Sequence, residues 1–174
     1  MKGRTMLDPT REVRQLKAGM FKVWTVWIAM FLTLVLALIF AFLLGGDIEQ
    51  RHHPRHIRQI TQILYGVSVV GLILAYFIRR YMLHRASSKP LSTETENTPG
   101  QISPYISRYK PAVVVSLAIA ESIAAFGLTI FFMDGKLTPF LIFLAMALVG
   151  LFLYRPKFEE VEKLAISIKQ SSDA

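Results

Sequence analysis

Cysteine is absent from the 174-residue chain. Its absence excludes disulfides, thiolate metal sites and thiol nucleophiles, and removes cysteine usage as a guide to the redox compartment. Acidic residues are sparse, 12 Asp and Glu against 20 Lys and Arg, for a formal net charge of +8. Charge of either sign is missing from long stretches: windows 23–46, 59–78, 111–133 and 137–154 hold one formally charged residue between them, Glu121. Four runs near the ~20 residues that cross a bilayer as helix point to a polytopic membrane protein. The same segregation argues against a soluble, basic nucleic-acid binder. Catalytic signatures are missing as well. The chain has no P-loop, no Gly-x-Ser-x-Gly elbow and no His-Glu-x-x-His, and the spans hold no second acid to pair with Glu121. The expectation is a non-catalytic protein without a cofactor.

The basic residues that are present set the topology. Sixteen of the twenty lie in residues 1–22, 79–110 and 155–174, which would share one side of a membrane. The other side keeps Arg51, Arg55, Arg58 and Lys136. By the positive-inside rule both termini are cytoplasmic, in a bacterial inner membrane. The first apolar run is too long for the core of a cleavable signal peptide and reads as a signal anchor. The fold class is therefore all-α, an integral membrane four-helix bundle of two transmembrane hairpins, 23–78 and 111–154. Residues 79–110, rich in Ser, Thr, Pro and Gly at their centre, read as a flexible cytoplasmic linker.

Both cytoplasmic ends carry helical amphipathic patterns. In residues 1–22, Asp8-Pro9 reads as a cap with a first-turn proline, and Val13, Leu16, Met20, Phe21 and Trp24 follow at helical spacing. In 155–174 the equivalent set is Phe158, Val161, Leu164, Ala165 and Ile168. Each end reads as an interfacial helix on anionic headgroups, with partner docking as the alternative.

Helices associate in lipid through close backbone approach and polar contacts, so small residues at four-residue spacing mark packing faces. Span one has Ala29, Thr33, Ala37 and Ala41; span three has Ala112, Ser116, Ala120 and Ala124, with Gly127 one step on. These faces predict close packing of spans one and three inside the bundle. Span four, rich in Phe140, Leu141, Phe143, Leu144, Leu148, Leu151 and Phe152, is expected to face lipid over much of its surface.

Glu121 lies near the middle of its span. An ionised carboxylate there costs about 2.5–3.5 kcal/mol on insertion scales for comparable charges, and no span offers Lys, Arg or His as a partner. A neutral, protein-facing Glu121 is expected, with Thr33 and Ser68, at matching depth, as candidate hydrogen-bond partners. Three readings stay open: a buried polar residue fixing helix register or a subunit contact, a proton- or ion-binding group, or half of a salt bridge to another subunit.

The segment Ala118-Ile119-Ala120-Glu121-Ser122-Ile123-Ala124-Ala125-Phe126-Gly127-Leu128 resembles the carboxylate helix of the rotary ATP synthase proteolipid, subunit c. In that family the equivalent carboxyl binds the transported proton or sodium ion, which the resemblance would assign to Glu121. The proteolipid is a two-helix hairpin with a glycine-rich first helix, features this chain does not share. The whole-chain layout is similar to bacterial four-span membrane proteins that carry such a helix in the third span.

His52, His53 and His56 cluster in the outward loop, but the nearby Arg51 and Arg55 repel a divalent cation and Pro54 interrupts the helical spacing. No metal site is expected there. Arg79, Arg80 and Arg85 read as headgroup contacts, and Tyr65, Tyr76, Tyr81 and Tyr154 as packing or interface aromatics. The expected partners are the lipid bilayer, anionic headgroups, and other membrane subunits or further copies of the chain, with no nucleic acid.

Overall fold

The turn Asp134-Gly135-Lys136 sets the layout of the second half of the chain. Gly135 adopts φ 69°, the left-handed region that a side chain strains, and its N–H donates to Phe131 O at 2.8 Å. One helix closes there with its orphan carbonyl satisfied and the next starts two residues later. Gly135→Ala is expected to cost about 1–2 kcal/mol in thermal unfolding, because the backbone stays left-handed while a Cβ is added.

A computed structural model describes residues 9–44, 55–87 and 104–172. It contains five helices: α1, Pro9–Leu44; α2, Arg55–Ser87; α3, Pro104–Asp134; α4, Leu137–Leu153; and α5, Phe158–Ser172. The described residues contain no strand. Three helices, α1 to α3, are long and apolar enough to cross a membrane. The 17 residues of α4 fall short of that length, and α4 passes only together with α5, bent from it by 43°. The bend follows from Pro156, which lacks an N–H and disfavours helical geometry at Arg155.

Several helices outrun the boundaries read from the sequence. α1 is continuous from Pro9, so the helix expected over the N-terminal segment joins the first apolar run without a break, in one helix of about 54 Å. The proposed linker 79–110 is helical at both ends, since α2 runs to Ser87 and α3 starts at Pro104. Its Ser/Thr/Pro-rich centre, the Asp8 cap, His52 and His53 lie outside the described residues.

α3 is the central helix. It packs most extensively against α4, then α2, and less against α1. Its small-residue face is buried as a unit: Ala112, Ser116, Ala120, Ala124 and Gly127 are all shielded. Two members of that face, Ala120 and Gly127, lie against α4, while α3 also packs on α1, as expected for spans one and three, though less extensively than on α4 and α2. An added Cβ at Gly127 would sit 2.6 Å from Phe143 Cβ, and one at Gly150 would sit 3.0 Å from Ala120 Cβ and 2.7 Å from Leu72 Cδ2. The short turn holds α4 against α3, and Leu72 of α2 reaches α4 at Gly150 as well. α1 is peripheral: of its small residues Ala41 is buried, Ala37 half-buried and Ala29 exposed.

The same packing corrects the expectation for span four. Phe140, Phe143, Leu144 and Leu151 are buried in the core, and only Leu141 and Phe152 of the seven named residues are exposed. The widest apolar surfaces belong instead to α1 and α2, which leave Ile28, Leu32, Leu36, Phe40, Ile63, Val70 and Phe77 open.

Candidate functional site

Position on α3 decides what Glu121 meets. Ile119 lies against α2, where it contacts the open side of Gly71, and Glu121 is two residues on, about 200° around the helix. It therefore faces α1, half-buried, with Thr33 Oγ 2.9 Å from its Oε1. Thr33 is its one hydrogen-bond partner among the described residues. Ser68 is buried on α2, on a different side of α3, and donates to Leu64 O at 2.8 Å. Of the two depth-matched hydroxyls, α3's rotation brings only Thr33 to the carboxyl.

The Thr33 hydroxyl has one proton and three acceptors in reach. Besides Glu121 it lies 2.8 Å from Met30 O and 3.1 Å from Ala29 O, both on its own helix. A helical Thr commonly donates back to such a carbonyl. In that arrangement the Glu121 contact is satisfied when a neutral carboxyl donates its proton to Thr33 Oγ. When the carboxyl is ionised, the hydroxyl rotates and donates to it instead. The pair thus supplies a good hydrogen bond in either protonation state. A hard metal cation needs a shell of several oxygens, and one carboxyl with one hydroxyl is a poor start on one.

A second polar centre lies near the C-terminal end of α2 and includes Arg79, expected at lipid headgroups, and Tyr154, expected as a packing or interface aromatic. Arg79 is 6% exposed. Its Nη1 donates to Tyr154 O at 2.6 Å, and its Nη2 to Glu160 Oε2 at 2.6 Å, to Tyr109 Oη at 3.1 Å and to Arg155 O at 3.4 Å. Tyr109 Oη also donates to Glu160 Oε2 at 3.0 Å and accepts from the Lys157 N–H at 3.1 Å. The guanidinium carbon sits 5.9 Å from the Tyr109 ring centroid.

This cluster closes the C-terminal end of α4. Helix C-termini leave carbonyls unpaired and carry partial negative charge. Here Trp27 Nε1 donates to Leu151 O at 2.9 Å, Arg79 takes the carbonyls of Tyr154 and Arg155, and the Tyr154 hydroxyl donates to Leu72 O. Glu160, on the first turn of α5, supplies the countercharge that makes burial of Arg79 tolerable.

α5 is consequently docked on the bundle. Val161 and Leu164, from the apolar face expected to lie on headgroups, are buried where α5 meets α2 and α3, while Phe158 of that face stays exposed. Arg80, unlike Arg79, is exposed. The signal for Arg79 was present in the sequence: Thr61, Leu64, Ser68, Leu72, Ala75 and Arg79 recur at intervals of three and four along one side of α2, and Arg79 continues that buried face.

No family model, curated protein or solved structure matches the chain. These two centres and the apolar surfaces around them are the features that bear on function. Among the described residues no group of three His, Asp or Glu is arranged to hold a metal ion.

Proposed function

We propose that the chain is a small integral-membrane accessory or assembly subunit of a larger membrane complex, non-catalytic, with both termini cytoplasmic in a bacterial inner membrane. Its four spans would form two hairpins, with α4 as the fourth span and α5 in the cytoplasmic tail, docked on the end of the bundle. The observation that carries this reading is the peripheral placement of α1 and α2. Both leave long rows of large apolar side chains open, which suits contact with lipid and with neighbouring subunits. The polar groups with elaborate geometry, Arg79 and its partners, bond one another and the backbone ends of α4, and so hold helices together. Gentle solubilisation followed by a blue-native gel tests the reading. Migration with a larger complex is expected, and migration only as an isolated single chain would contradict it.

A second reading is favoured by the Thr33–Glu121 contact: a proton- or sodium-coupled transport component with Glu121 as the exchangeable site. A hydroxyl that serves both protonation states, on a half-buried carboxyl midway along an apolar helix, suits proton exchange more than sodium binding. The resemblance of residues 118–128 to the proteolipid helix points the same way.

A further inference from the structure

We propose that the cleft between the first turns of α2 and the α3–α4 turn binds the phosphate of an anionic phospholipid, with Arg58 and Lys136 as its charged contacts. This rests on the membrane reading above and adds a specific ligand site to it. The cleft has a volume of about 580 Å³, within the range of small-molecule sites.

Its polar wall is rich in donors. Arg58, Gln62 and Tyr65 come from α2, and Lys136 and Thr138 from the start of α4. None of these five side chains makes a hydrogen bond or ion pair with another described residue. Arg and Lys only donate, and the amide and hydroxyls are free to do so. α4 adds to this excess, because its N-cap is Lys136 and no side chain caps its first N–H groups. Neither α2 nor α4 has an acid in its first turn. Asp134 also lines the cleft, so the wall carries two cations to one carboxylate. A donor-rich wall of net positive charge selects an anionic ligand rich in acceptors, and a phosphate ester is the common one.

The remaining wall explains why the ester would be a lipid. Ile57 and Ile142 line the cleft beside the polar groups, and the Tyr65 ring is held against Phe143 with centroids 4.6 Å apart and planes at 21°. Apolar surface therefore continues from the charged mouth along the helices. In a membrane the cleft lies where α2 and α4 begin, at the depth of headgroups, with acyl chains running alongside the spans.

Native mass spectrometry of the full chain released from detergent tests the site, with phosphatidylglycerol, diacylglycerol and inorganic phosphate as separate probes. Phosphatidylglycerol should bind, diacylglycerol should not, and inorganic phosphate should bind far more weakly than the lipid. The double variant R58Q/K136Q should bind phosphatidylglycerol at least about tenfold more weakly, while R80Q, at the other end of α2, should match the wild type. Both altered side chains lack intramolecular bonds among the described residues, so unchanged thermal unfolding is expected; the single variants R58Q and K136Q repeat the test with smaller losses. Equal lipid binding by these variants, or equal binding of diacylglycerol, would overturn the proposal. Inorganic phosphate binding as tightly as the lipid would overturn the lipid source. Alkaline carbonate extraction tests the membrane reading separately: extraction into the soluble fraction overturns that reading, whereas protein retained in membranes without headgroup preference overturns the lipid site alone.

Discussion

Arg79→Ala should lower stability by about 3 kcal/mol and release α5 from the bundle. The substitution removes four hydrogen bonds at once and leaves Tyr154 O and Arg155 O, at the end of α4, without their donor. Breaking a buried ion pair from one side typically costs 3–5 kcal/mol. The lower end applies here because the Glu160 side chain is 29% exposed and regains water when the guanidinium is gone. Arg79→Lys should fall between the two, since an ammonium on a single point cannot span Tyr154 O and Glu160 as the fork does. Thermal unfolding in detergent measures the global loss. A local readout is trypsin cleavage at Lys163, which should accelerate in Arg79→Ala while α1 to α4 stay resistant. Unchanged protection of Lys163 would show that α5 is held by Val161 and Leu164 alone. Glu160→Gln completes the comparison: the amide still accepts from Tyr109 but no longer neutralises Arg79, so a double-mutant cycle between residues 79 and 160 should show a coupling well above zero.

The second large effect is expected at Glu121, on function rather than on folding. Glu121→Gln keeps a group that bonds Thr33 Oγ but cannot exchange a proton, so assembly and thermal stability should stay within about 0.5 kcal/mol of the wild type. Glu121→Leu is the sharper variant. Thr33 then falls back on Met30 O, 2.8 Å away, and no buried donor is stranded. A carboxyl kept only for packing would have little to lose there, and stability should be equal or higher. If Glu121 exchanges protons, both variants abolish proton flux in proteoliposomes and labelling by a hydrophobic carbodiimide, with wild-type labelling at Glu121 unaffected by sodium. Loss of assembly in both variants would instead assign Glu121 to a subunit contact. A carboxyl that resists carbodiimide across the accessible pH range, with normal assembly, would sink the exchange reading.

What was legible in the sequence was linear. The absence of charge from four windows marks apolar helices directly, and the depth of Glu121 and Thr33 follows from counting along their spans. Rotation about each helix axis was not legible in that way. Thr33 and Ser68 sit at the same depth, yet the facing of α3 gives the carboxyl to Thr33 and turns Ser68 to its own backbone. The small-residue stripes of α1 and α3 look alike on paper, but only that of α3 is buried throughout, because the Gly135 turn forces α4 onto it. Arg79 shows a different limit. Positive charges at a span end usually face headgroups, and the competing requirement, carbonyls at the end of α4 that need a donor, arises only once Pro156 has broken the chain there.

The absence of cysteine makes the central claim, two transmembrane hairpins with both ends on one side, open to a direct measurement. Single cysteines replacing Ser92, Lys136 and Ser171 can each be probed with a membrane-impermeant maleimide in sealed right-side-out vesicles. Lys136→Cys should be labelled at once, and Ser92→Cys and Ser171→Cys only after the vesicles are opened. Labelling of Lys136→Cys and Ser171→Cys from the same side would contradict the claim.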